Sequence, residues 1–260
     1  MAEMNVTAAG TRNRYLTHYV PPVLSLLLGL VVWEIVGRLR FSDIVAPLTD
    51  TMVAWWKLIG TGELLANLKI SLLNFAIGFL LAVVTGIVLG ALMGRFRTVQ
   101  QLCELWINLG NSAPMLAFIP LLIILFGLGD TTRIFVVYTF AFWVIVVNTF
   151  VGTRYINPDL MEMAGSFGAS ERQMFWKIML PGALPMIMAG LQLGVGRAVK
   201  GMINGEMLIT IVGLGAMIRI YGGGFNGSHL FAVVITIVAV AIILSVLIQI
   251  LHRRLAHWDR

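Results

Sequence analysis

Two places in this sequence group ionisable side chains against apolar surroundings. The first is 154–185, where Arg154, Asp159, Glu162, Glu171, Arg172 and Lys177 sit between two apolar runs. The second is the pair Arg197 and Lys200, inside an apolar stretch and followed by Asn204 and Glu206. At about 100° per residue, Arg197, Lys200 and Asn204 fall within about 60° of one another on a helix, beside Gly190, Gly194 and Gly201. A cation at a lipid-facing helix centre costs roughly 2.5–3.5 kcal/mol, so this face must meet a partner helix or an aqueous path. The chemistry open to it is electrostatic: attracting an anion and letting it pass. The competing account is structural, with both cations snorkelling or pairing with Glu206 and backbone carbonyls.

Bond-making chemistry has no such footing. Glu34, Glu206 and His229 are too scattered to converge on a reacting group. His18, His229, His252 and His257 show no ligand spacing, and the lone Cys103 rules out an internal disulfide and a cysteine metal cluster. Gly222-Gly223-Gly224 is not a phosphate loop, because no Gly-Lys-Ser/Thr follows it. No cofactor or metal is therefore expected on this chain.

The elements that position these residues follow from composition. Of 260 residues 59% are hydrophobic and only 12% charged, with a net charge of +6, and the mean hydropathy is +0.92. A water-soluble surface needs far more charge. The basic residues are spread between apolar runs, which suits membrane topology and anionic lipid rather than nucleic acid. A span needs about 20 apolar residues, and six stretches come close: 20–37, 68–93, 104–128, 133–152, 181–203 and 230–251. None alternates like a strand, so the expected fold is an all-α integral membrane bundle of about six transmembrane helices. Val20–Gly37 is long, contains Glu34 and ends at Arg38, which reads as a span rather than a cleaved signal peptide.

Basic residues also set orientation. Arg12, Arg14, Arg95, Arg97, Arg154, Arg172, Lys177, Arg253, Arg254 and Arg260 fall on one side. Arg38, Arg40, Lys57, Lys69, Arg133 and Arg219 fall on the other. The richer side is expected to be cytoplasmic. That places a polar, loosely ordered N-terminal tail (1–19), the loop 154–180 and a C-terminal tail (256–260) in the cytoplasm, with 38–67 external. The transmembrane body is 20–255. Residues 50–59 look amphipathic, which suits either a membrane interface for Trp55 and Trp56 or a helix packed on the bundle. Ala82, Gly86, Gly90 and Gly94 recur every four residues and predict close approach of another helix. The third span is interrupted by Pro114 and Pro120 after a polar start at Asn108, Gly110, Asn111 and Ser112. Irregular backbone at membrane depth is tolerated where it lines a cavity, although inert kinks also occur.

The loop has orderly punctuation. Asn157 suits an N-cap, Pro158 the first helical position and Asp159 the positive end of the helix dipole. Gly168 suits a left-handed C-cap, and Ser170 with Gln173 has capping-box spacing. Pro181 and Pro185 predict an end or bend. By itself this could be an amphipathic helix lying in the headgroup layer.

Glu162-Met163-Ala164, Gly168 after three residues, and Ile178-x-Leu180-Pro181 after nine more resemble the EAA loop of bacterial ABC importer permeases, with Met163 where Ala is usual. The wider chain, about 45–255, is similar to the nitrate/sulfonate/taurine/bicarbonate branch. Ser71-Leu72, Gly78-Phe79, Ala117–Leu121, Phe126–Gly129, Gly196-Arg197-Ala198, Gly205-Glu206-Met207 and Gly213-Leu214-Gly215 carry the likeness. Asn74 departs from it, since relatives often have Arg there. The resemblance implies an ABC type I importer permease fold in the inner membrane, with both termini cytoplasmic and the 158–169 helix coupling to a separate ATPase. It implies a homodimer with two ATPase subunits, which hold the ATP and Mg, and an external substrate-binding protein. It further implies a non-catalytic role, a small oxyanion cargo, and alternating access driven through the loop. Coupling would fall to Glu162, Met163, Ala164, Gly168, Ile178, Leu180 and Pro181. The candidate translocation path is Arg197, Lys200, Asn204, Glu206, Asn111 and Ser112. The alternative class is a secondary, ion-coupled transporter, which usually shows repeated halves; no internal repeat is visible here.

Overall fold

The computed structural model describes residues 4–39, 45–209 and 211–255, with side chains from 20 onward. The tail 256–260, Arg40 and the side chains of Arg12, Arg14 and His18 lie outside the described residues. All regular structure among the described residues is helical. Among these residues five helices are long and apolar enough to cross a membrane, or six if one bent pair counts as a span.

The chain divides into two compact units, one formed by residues up to Thr61 with Tyr221–Ala232, the other by Gly62–Ile220 with the residues from Val233 onward. The first unit holds α1 (Met4–Arg38) and α2 (Leu48–Gly60). The 1–19 stretch, expected to be loose, is helical from Met4 and runs unbroken through Pro21 and Pro22. Glu34 explains its own presence in a span. Its carboxylate accepts from the Thr49 N–H and hydroxyl, both at 3.1 Å, and from Arg38 Nε at 2.6 Å. It thus caps the first turn of α2, where no local side chain does so. Trp33 Nε1 donates to the Ala46 carbonyl at 3.0 Å. In α2, Thr51, Ala54 and Leu58 are buried at helical spacing while Trp56 is exposed.

The second unit is built on α3 (Glu63–Arg95), α6 (Asp130–Arg154) and α9 (Leu180–Ile209), with α6 packed against both others. The small-residue stripe of α3 makes the contact its spacing predicts. A Cβ on Gly86 would lie 2.9 Å from Ile145, and one on Gly90 2.6 Å from Thr149 and 2.7 Å from the Val146 carbonyl. The backbones therefore pack closely in the absence of a hydrophobic drive between helices in lipid. Buried Asn74, the departure from the related pattern, donates to Asp130 at 3.1 Å, and Asp130 pairs with Arg133.

The expected single span 104–128 is not one straight helix. It is α4 (Arg97–Ser112) and α5 (Met115–Phe126), bent by 104° at Ala113-Pro114. Pro114 disfavours helical backbone at Ala113 and contributes no N–H. Pro120, by contrast, stays inside α5. The remaining helices are α7 (Pro158–Ser166), α8 (Glu171–Met174), α10 (Leu214–Gly223) and α11 (Gly227–Leu255).

Candidate functional site

The loop between α6 and α9 folds as its caps dictate. Asn157 Oδ1 accepts from the Asp159 N–H at 2.9 Å. Helix α7 ends at Ser166, and Gly168 takes φ +74°, while the Ala169 N–H reaches back to the Ala164 carbonyl at 3.0 Å. Ser170 and Gln173 form the reciprocal box, at 3.3 and 2.8 Å. Pro181 and Pro185 do not end or break the helix that follows. The chain widens instead into a π turn, Phe175–Met179, and continues as α9 through both prolines. The π turn bonds the Leu180 N–H to the Phe175 carbonyl. A wider turn just before Pro181 relieves the clash its ring makes in an α-helix, and π turns recur at functional sites.

The motif residues divide by burial. Ala164 and Met179 are buried, Leu180 packs on the bundle core, and Ile178 and Pro181 are half-buried. Glu162 and Met163 are exposed. Beside them the structure adds two residues the motif does not contain. Leu160, Met163 and Phe167, at i, i+3 and i+7, are 45%, 53% and 85% exposed and form one apolar face. The signal was in the sequence as helical spacing within a polar loop. An ion pair between Arg95 and Glu171 ties α8 to the end of α3.

The second site lies on α9. Its buried arc takes Gly190, Gly194, Gly201 and Gly205 onto α6; a Cβ on Gly201 would lie 2.8 Å from the Phe140 ring. The glycines grouped with the cations by helical angle thus belong to the packing side. Arg197 and Lys200 are exposed, and Asn204 half-exposed, on the adjoining arc. Arg197 Nη1 donates to Asn111 Oδ1 at 2.8 Å, at the end of α4 just before the 104° bend. Gly110 sets that approach, since a Cβ there would meet the Trp143 ring at 2.5 Å. Ser112 is exposed beside Asn111. Among the described residues Lys200 has no ion-pair partner, so neither cation is neutralised by Glu206.

Glu206 does not join that face. It lies about 180° around the helix from Arg197 and is 1% exposed. Its Oε2 accepts from Ser71 Oγ and from the Gly215 N–H, each at 2.9 Å. Ser71 Oγ in turn accepts from the Leu214 N–H at 2.9 Å, and Asn67 Oδ1 from the Gly213 N–H at 2.6 Å. Gly213 has φ +99°, and a Cβ there would lie 2.5 Å from the Glu206 carboxyl carbon. Correcting the sequence reading, Glu206 is buried in this knot and does not line an open path.

Residues 82–258 match the family of binding-protein-dependent transport system inner membrane components. A putative ABC transporter permease of Methanocaldococcus jannaschii is 35% identical over 197 residues, 74% of each chain. A putative aliphatic sulfonates transport permease of Bacillus subtilis is 31% identical, covering 88% of this chain and 84% of its own. The taurine transport system permease of Escherichia coli is 32% identical, covering 74% of this chain and 70% of its own. Among solved structures, a chain of the inward-facing MetNI methionine ABC transporter superposes with a TM-score of 0.56 at 20% identity, covering 77% of this chain and 96% of that one. The fold is that of an ABC importer permease, and the chain belongs to the binding-protein-dependent transport system inner membrane component family, as a multi-pass, non-catalytic subunit of an ABC importer.

Proposed function

We propose that this permease carries a small oxyanion of the sulfonate, taurine or nitrate kind along the α9 arc of Arg197, Lys200 and Asn204, with Asn111 and Ser112 at its edge. The observation that carries this reading is that two unneutralised cations lie exposed on one arc of a membrane-spanning helix. Lipid on that arc is costly, so a second copy of the chain faces it and the two enclose a wet path. Permeases named for aliphatic sulfonates, taurine and nitrate resemble this chain over most of its length. All three ligand classes carry an anionic oxygen group, taurine as the sulfonate of a zwitterion, which fits the sign of the arc.

Arg197→Gln and Lys200→Gln test it in vesicles holding the permease, its ATPase and its binding protein, with taurine, an aliphatic sulfonate and nitrate as cargo. Each substitution is expected to lower uptake of the transported anion at least about tenfold, equivalent to about 1.4 kcal/mol, while the complex still assembles. Undiminished uptake by an assembled double variant would remove the arc from the path.

The α7 helix, with Glu162, Met163, Ala164 and Gly168, is the part the ATPase grips; Ile178, Leu180 and Pro181 join it to the bundle. ATP and Mg belong to that partner, two copies of which serve a permease dimer from the cytoplasm. Both termini lie on the same side. Stiffness is what force transmission requires, and the loop's caps supply it. Gly168→Val puts a β-branched residue at φ +74°, which strains the turn whatever space surrounds it. The expected result is ATP hydrolysis retained within about threefold, with uptake cut about tenfold or more. Full uptake by that variant would show that the turn's geometry is immaterial.

A further inference from the structure

The knot around Glu206 has no part in the arc described above. Three successive N–H groups at the start of α10, those of Gly213, Leu214 and Gly215, are each taken by a side chain from another helix. Asn67 and Ser71 come from α3 and Glu206 from α9. A helix leaves its first N–H groups without internal partners, and here tertiary contacts replace the local cap. A carboxylate at that position also complements the positive end of the helix dipole. The fit leaves no slack: a Cβ on Gly215 would lie 2.4 Å from the Ile203 carbonyl and 2.7 Å from Glu206 Cβ. Because Glu206 lies 26 residues beyond Leu180 on one helix, the knot sits roughly 40 Å from the 158–180 loop. It is at the opposite end of the bundle.

We propose that Glu206 is a positioning residue for transport: it locks the far ends of α3 and α9 to the start of α10, so that displacement applied at the loop reaches the other end of the path. This rests on the reading of the chain as a permease driven through that loop. The physical reason is that α3 and α9 both pack on α6, with glycines along each contact, and their own far ends need a direct tie to move together. A buried, hydrogen-bonded junction at the far end supplies one.

The test uses the assembled transporter, with ATPase and binding protein, in vesicles, reading uptake and ATP hydrolysis side by side. Ser71→Ala removes both the donor to Glu206 and the acceptor for Leu214, and Glu206→Ala removes the carboxylate. Both are expected to lower uptake at least about tenfold while hydrolysis stays within about twofold. Glu206→Gln keeps an acceptor for Ser71 and Gly215 and is expected to recover uptake to within about threefold of wild type. If Glu206→Ala does not assemble, Ser71→Ala decides the matter. Uptake and hydrolysis falling in parallel, or neither falling, would overturn the proposal. Absence of ATP-driven uptake by the wild-type complex would instead overturn the permease reading on which it rests.

Discussion

With Met163 and Phe167 both changed to Asp, the ATPase is expected to be lost from the purified complex while the permease remains inserted. These two side chains, in α7 and at its C-cap, are 53% and 85% exposed, on the same face as Leu160. Apolar groups of that size projecting from a membrane-protein loop gain by burial, in a partner protein or in the lipid interface; the proposed coupling selects the partner. Exposed aromatic anchors are the residues whose truncation most often costs 2 kcal/mol or more in an interface. Two carboxylates placed there would add unpaired buried charge. The expected loss is about 100-fold or more in affinity, near 2.7 kcal/mol. Co-purification of ATPase and permease in detergent, with wild type alongside, checks it. Retention of the ATPase by the double variant would mean that the grip lies elsewhere on the chain.

The second large effect concerns the bundle. Gly90→Leu is expected to abolish the native α3–α6 contact, because its Cβ alone would lie 2.6 Å from Thr149 and 2.7 Å from the Val146 carbonyl. A carbonyl cannot rotate away as a side-chain end does, so the helices must separate. Overpacking of this kind costs about 3 kcal/mol or more. Gly196→Leu is the control, having nothing within 4 Å of its Cβ. Thermal unfolding followed by size-exclusion chromatography is expected to show an aggregated or strongly destabilised Gly90→Leu protein and a monodisperse Gly196→Leu protein. Equal stability of the two would contradict the packing described here.

Much of this was legible in the sequence because the signals were local. The Asn157, Gly168 and Ser170 caps each act within five residues, and all three form as their residue types predict. The four-residue spacing of Ala82, Gly86, Gly90 and Gly94 is likewise a property of one helix, and α6 fills it. What escaped the sequence depends on partners far away in the chain. Glu206 carries a charge and lies nine residues beyond Arg197, which invited grouping it with the cations. Its true partners are Ser71 and the N–H of Gly215, the first 135 positions away. The same holds for Glu34, whose role as the α2 cap is invisible until the chain turns back at Thr49. Prolines misled differently. Pro114 coincides with a sharp bend, whereas Pro181 is absorbed by a π turn, and composition around them does not tell the two outcomes apart.

The account depends on the 158–180 loop facing the compartment that contains ATP. Its most direct test is a single-cysteine protein, Glu162→Cys in a Cys103→Ser background, labelled with a membrane-impermeant maleimide in cells. No labelling in intact cells and full labelling once the membrane is opened, reduced when the ATPase is bound, is the predicted result. Labelling of Glu162→Cys in intact cells would place the loop outside, beyond the reach of any ATPase, and would contradict the account.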